Sequence, residues 1–155
     1  MIKSGLVRRH WQIIAFLGLP FLFGGCRRIS IDDDFRSPYE QESILMPQAS
    51  RSYLLSGPPG VRVDVGLDFE EGGERSDRLV LTVQVGRESR MGDSLPGGQV
   101  SRAVCGVTLT NDGVPVDVQN QNTLRSAPYA LRIERSPSRF CQARRLVPST
   151  ALVQR

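Results

Sequence analysis

From Tyr53 onward, in runs separated by polar loops, apolar residues return at every second position, the pattern of strands with one buried face. Val61, Val63, Val65, Leu67 and Phe69 alternate with Arg62, Asp64, Gly66 and Asp68. Pro58-Pro59-Gly60 punctuates the start of this run, and the polar stretch from Glu70 to Asp77 follows it. Leu79, Leu81, Val83 and Val85 then read as the returning arm of a hairpin, and residues 86–98 as a loop rich in Gly, Ser and charge. Val104 to Thr110 predicts a third strand with Cys105, Val107 and Leu109 on one face. Asn111-Asp112-Gly113 is a turn signal, and Val114, Val116 and Val118 return from it. Pro115 pushes that strand toward a sheet edge, because proline has no N–H for a second neighbour. Tyr129, Leu131 and Ile133 mark another strand, and Phe140 to Val147 the last, with Cys141 and Ala143 on one face. Tyr53-Leu54-Leu55 offers a further short one.

Strands at this spacing, with no helical period among them, predict an all-β fold. The expected architecture is a small antiparallel β-sandwich, immunoglobulin/transthyretin-like in layout, spanning residues 53–147. Residues 148–155 are expected to be a tail. Residues 26–52 show no sustained period and carry Asp32-Asp33-Asp34, Pro38 and Pro47. They read as a tether whose fully extended reach is on the order of 85 Å. The three aspartates lack the alternation and the glycine of a calcium loop, so they read as a solvated acidic run.

The first 25 residues have a different texture. Lys3, Arg8 and Arg9 precede eleven uncharged residues, Ile13 to Phe23, followed by Gly24-Gly25-Cys26. As a helix, eleven residues span roughly 17 Å at ~1.5 Å each, short of a ~30 Å hydrocarbon core. A basic leader, a short apolar run and small residues form the layout of a cleavable export signal. Phe23-Gly24-Gly25-Cys26 resembles the lipobox of bacterial lipoproteins, with Phe23 where the usual form has Leu. The resemblance implies diacylglycerol on the Cys26 sulfur, an acylated (palmitate-bearing) amino terminus and a membrane anchor. By the same resemblance, Arg27 in place of Asp after the cysteine implies the periplasmic face of the outer membrane.

Three of the 20 Lys and Arg lie in the leader, which leaves 17 against 16 acids. That balance argues against a nucleic-acid partner. With Cys26 assigned to lipid, Cys105 and Cys141 remain as an even pair in a disulfide-permissive compartment. The competing reading is free or metal-bound thiols, and a zinc site would then need carboxylates to complete four ligands. The bond would stabilise the domain by about 4 kcal/mol by restricting the unfolded chain.

Catalytic chemistry is scarce. The single histidine, His10, lies in the leader, and no lysine follows it. A Ser-His-Asp arrangement, a Schiff-base lysine and a phosphate loop are thereby excluded from the mature chain. Glu70, Glu71, Glu74 and Asp77 supply acids for carboxylate-pair hydrolysis, but a solvated hairpin tip is the plainer reading. No cofactor or metal is expected. Residues 125–155 hold seven Arg and one acid, Glu134. Arg132, Arg135, Arg139, Arg144 and Arg145 are therefore the candidate face for an anion or an acidic partner. The expected role is a non-catalytic binding or assembly module, such as an accessory component of an envelope or secretion complex. The alternative is an inhibitor of a periplasmic or host hydrolase of the lysozyme type, acting through the acidic 70–77 loop.

Overall fold

The computed structural model describes residues 25–32, 38–69, 79–95 and 100–145, with residues 143–145 described by their backbone only. The leader, Asp33 and Asp34, the Glu70–Asp77 loop and the carboxy-terminal tail lie outside the described residues. Ten strands and one short helix make up the rest: β1 (Arg27–Ser30), β2 (Tyr39–Leu45), β3 (Ser50–Ser56), β4 (Arg62–Asp68), β5 (Leu79–Val85), β6 (Glu88–Met91), β7 (Asp93–Ser94), β8 (Arg102–Thr108), β9 (Val114–Asn120), β10 (Ala127–Arg135) and α1 (Arg139–Arg145). They form two five-stranded sheets, β1-β3-β9-β5-β6 (sheet A) and β2-β10-β4-β8-β7 (sheet B). Every pairing is antiparallel except β1 with β3. The fold is thus the expected β-sandwich with one disulfide.

The alternating apolar residues meet between the sheets. Leu55, Leu81, Val83, Val116 and Val118 from sheet A face Val63, Val65, Leu67, Leu131 and Ile133 from sheet B, all buried. Tyr53 and Tyr129 bridge the two sheets through their hydroxyls at 2.6 Å. Burial of the Tyr53 phenol, and then its bond to Tyr129, push its pKa well above the ordinary tyrosine value.

Several expectations change. Val61–Phe69 and Leu79–Val85 are not a hairpin: β4 pairs with β8 and β10, and β5 pairs with β6 and β9. Both strands alternate cleanly, but each presents its apolar side to the other across the core, so periodicity alone could not separate facing strands from paired ones. Pro115 is on a central strand, not an edge. It is tolerated because the β5 ladder begins one residue later, at Val83 opposite Val116. The loop read over residues 86–98 carries β6 and β7.

The proposed tether is structured as well, contributing β1, β2 and the start of β3. Its strands escape the hydrophobic pattern for a physical reason. β2 points Tyr39, Gln41, Ser43 and Leu45 inward, and two of these four are polar. The Tyr39 hydroxyl donates to Gln41 at 2.7 Å, and Arg51 donates to the Ser43 hydroxyl, so the polar side chains are satisfied where they stand. β1 turns one apolar residue, Ile29, into the core.

The last predicted strand is the helix α1. Ser138 caps it, its hydroxyl accepting from the Cys141 N–H at 3.1 Å. The helix lies on the outer face of sheet B, where Phe140 enters a slot above Gly66. A Cβ on Gly66 would stand 3.2 Å from the Phe140 ring and 3.0 Å from Val100.

Candidate functional site

The outer face of sheet B divides into two halves. Over β4 and β8 it is covered. Cys105 and Cys141 form the disulfide with Cα atoms 6.0 Å apart, pinning α1 to β8. The bond is possible because β8 carries a bulge. Val63 pairs with Val107 and Val65 with Val104, so Cys105 and Gly106 together stand opposite Asp64. Gly106 has a φ of 70°, a left-handed backbone that glycine accepts without strain. The surplus residue reverses the alternation, sending Val104 and Val107 into the main core and Ala103 and Cys105 out toward Phe140. Cys105 therefore does not share a face with Val107 and Leu109, as strict alternation predicts.

Asp64 holds this arrangement together. It is 1 % exposed, and its two carboxylate oxygens accept the N–H of Gly106 and the N–H of Ser138, each at 2.7 Å. One carboxylate thereby fixes both the bulge and the approach to α1. Asp64, Cys105 and Cys141 place potential metal-binding atoms within 4.8 Å of one another. Here the sulfurs bond to each other and both carboxylate oxygens are engaged by main chain, which makes the cluster a brace.

Over β2 and β10 the same face is open. A cleft of ≈ 710 Å³ lies there, lined by Glu42, Ser43, Ile44, Asp68, Phe69, Pro128, Tyr129 and Ala130. The ladder explains its composition. Ala130 stands between Glu42 on β2 and Asp68 on β4, and Pro128 pairs with Ile44. The small Ala130 forms the floor, the two acids flank it, and Ile44 and Pro128 make an apolar lip. Ile44 is 60 % exposed. Arg132 closes the other end, 3.2 Å from Glu40 and 3.9 Å from Asp68. Such half-exposed pairs contribute little stability, typically below about 1 kcal/mol, and mainly fix side-chain direction.

The candidate arginines fall on two elements, β10 and α1. Arg132 lies among Glu40 and Asp68 on the outer face of sheet B. Arg135, three residues on along β10, takes the opposite parity. Arg139 is on α1, where its main-chain N–H donates to Glu134 at 3.4 Å. Arg144 and Arg145 close the helix in the part described by backbone alone. Cys26 is exposed and immediately precedes β1. Reading the sequence missed the acidic cleft because its members come from three separated strands. Glu42 and Asp68 become neighbours of one residue, Ala130, through strand pairing that no local spacing reveals.

No family model and no curated protein matches the sequence. Solved structures with a partial likeness include PliG of Salmonella Typhimurium, a periplasmic inhibitor of g-type lysozyme (TM-score 0.39, 10 % identity, 70 % of this chain and 97 % of that one). PliG of Aeromonas hydrophila, of the same description, aligns with a TM-score of 0.41 and 12 % identity over 71 % of this chain and 98 % of its own. The full extracellular region of zebrafish Gpr126/Adgrg6 aligns with a TM-score of 0.32 and 16 % identity, over 72 % of this chain and 15 % of that one. Likeness at this level carries no argument about ancestry or activity. No helix among the described residues is long and apolar enough to cross a membrane.

Proposed function

We propose that the chain is a non-catalytic envelope lipoprotein, anchored through Cys26 at the periplasmic face of the outer membrane, whose open cleft on sheet B binds a protein partner bearing basic side chains. The observation that carries the reading is the division of one sheet face. Half is covered by a helix, a disulfide and a buried carboxylate, which leave a smaller cavity of ≈ 410 Å³ beside Arg62 and Pro137. The other half is left open with an apolar lip and two acids beside a small residue. An apolar contact ringed by charge is the composition of a protein-binding patch, and its acids select for arginine or lysine on the partner. Docking on an envelope complex is the principal form of the proposal.

Inhibition of a basic hydrolase such as a lysozyme is the second form. It draws support from the position of Phe69, which lines the cleft and directly precedes the acidic segment Glu70–Asp77. Photo-crosslinking from position 44 in intact cells, compared between the parent and Glu42→Arg/Asp68→Arg chains, tests the site. Loss of the crosslinked partner on charge reversal supports the cleft, and an unchanged adduct removes it. Assay of the purified chain against lysozyme separates the two forms. Inhibition that disappears in Glu70→Arg/Glu71→Arg/Glu74→Arg selects the inhibitor, and absence of inhibition selects docking.

A further inference from the structure

We infer that one end of the sandwich lies directly against the lipid surface, with Met46 and Leu124 dipping into the headgroup region; this rests on Cys26 being the anchor point. A flexible tether would leave orientation free, but no such tether separates Cys26 from the fold. Arg27 already pairs with Tyr53 in the parallel β1–β3 ladder. The acylated residue would therefore be one Cα step, about 3.8 Å, from sheet A.

The ladder also says which end that is. β1 and β3 run the same way, so the chain enters β1 from the side on which β3 begins, with Arg27 level with Tyr53, three residues in from Ser50. Ser50 pairs with Gln119, which brings the close of β9 to the same end. The turn after β2 joins them, the Gln48 N–H donating to the Asn122 carbonyl at 2.9 Å. Buried Asn120 ties the loops firmly. Its amide donates to the carbonyls of Leu45, Met46 and Arg125 at 3.2, 3.1 and 2.9 Å, and its oxygen accepts the Asn122 N–H at 3.0 Å.

Two large apolar side chains stand exposed on this braced end. Met46 is 64 % exposed, its sulfur 3.6 Å from the Ser126 hydroxyl, and Leu124 is 86 % exposed in the neighbouring loop. Arg125 is exposed next to Leu124, and Arg27, exposed at the start of β1, lies three residues back from Ser50 along the ladder, basic surroundings that anionic headgroups favour. A rigid tip with apolar points, basic surroundings and the exit of the acyl-bearing residue fits a bilayer surface better than bulk water. Glu42 and Asp68 lie three residues back from the tip along their ladders, about 10 Å at about 3.3 Å per residue. The cleft would then open sideways just above the headgroups, suited to a partner that is itself held at the membrane.

The processed chain would lack Trp11, and the mature sequence contains no other tryptophan, so single-tryptophan probes report cleanly. Leu124→Trp and, at the opposite end, Asp112→Trp are each produced as full-length lipidated chains and placed in phosphatidylethanolamine/phosphatidylglycerol vesicles containing brominated phospholipid. Intact mass confirms acylation first. At least twofold stronger quenching is expected at position 124 than at 112, with a blue-shifted emission, and loss of that contrast on insertion of ten Gly-Ser residues between Cys26 and Arg27, ahead of β1. Equal quenching of the two probes in an acylated, vesicle-bound chain overturns the orientation. A chain lacking acyl groups and remaining in solution instead overturns the anchor on which the orientation depends.

Discussion

The two halves of sheet B's outer face are built from the same kind of strands and end in opposite conditions. Over β4 and β8, outward positions hold Asp64, Gly66, Ala103 and Cys105, either small or committed to a specific bond. Small residues make room for Phe140, and the carboxylate and the sulfur hold the helix that carries it. Over β2 and β10, outward positions hold Glu40, Glu42, Ile44, Pro128 and Ala130, with Arg132 bound at one end. Nothing on that side is shaped to receive a helix. The difference shows that covering a sheet requires fastenings as well as vacancies: the space over Ala130 is present, but the disulfide and the buried carboxylate lie on the other half.

The sharpest way to break the contrast is to unfasten the covered half. Replacing Cys105 and Cys141 together by alanine is expected to cost about 4 kcal/mol in denaturant unfolding, the entropy of a loop closed over 36 residues. A loss below about 1 kcal/mol would mean that the helix is held chiefly by other contacts. Next in size, Phe140→Ala empties the slot over Gly66 and should cost about 3 kcal/mol, at the lower end of the range for aromatic truncation because the satellite core is small.

The core between the sheets supplies a pH-dependent control that neither half should share. Tyr53 stays neutral in the fold to higher pH than in the unfolded chain, where tyrosine ionises near 10. The unfolded state therefore binds fewer protons above about pH 10. Stability should be intact below that value and fall by up to about 1.4 kcal/mol per pH unit above it. Unfolding curves of the parent and Tyr53→Phe should diverge in slope over that alkaline window, and parallel curves would refute the assignment. The smallest effect on stability belongs to the open half. Glu42→Arg should change unfolding free energy by less than about 0.5 kcal/mol while weakening partner binding tenfold or more, measured on the same preparation.

The strands of the main core were plain in the sequence because their buried positions are nearly all aliphatic, from Val63-Val65-Leu67 to Val114-Val116-Val118. What stayed hidden had other determinants. β2 turns half-buried glutamine and serine inward, and they solve their hydrogen bonding through Tyr39 and Arg51, partners invisible to a hydrophobic period. The run Phe140-Cys141-Gln142-Ala143 fits a two-residue repeat, but the Ser138 cap and the slot above Gly66 set it as helix. The cysteine pairing was legible from number and compartment. The side on which Cys105 emerges was not, because one glycine in a left-handed conformation changes the count.

That miscounted residue ties the alignment of β8 to the disulfide. Were β8 to align on β4 without the extra step at Gly106, the sulfur of Cys105 would point between the sheets, with the body of sheet B separating it from Cys141. Only the correct alignment lets the two sulfurs meet. Oxidation thus doubles as an inspection stamp, and a thiol-reactive label applied during refolding of a Cys26→Ser chain would mark the misaligned molecules and pass over the finished ones.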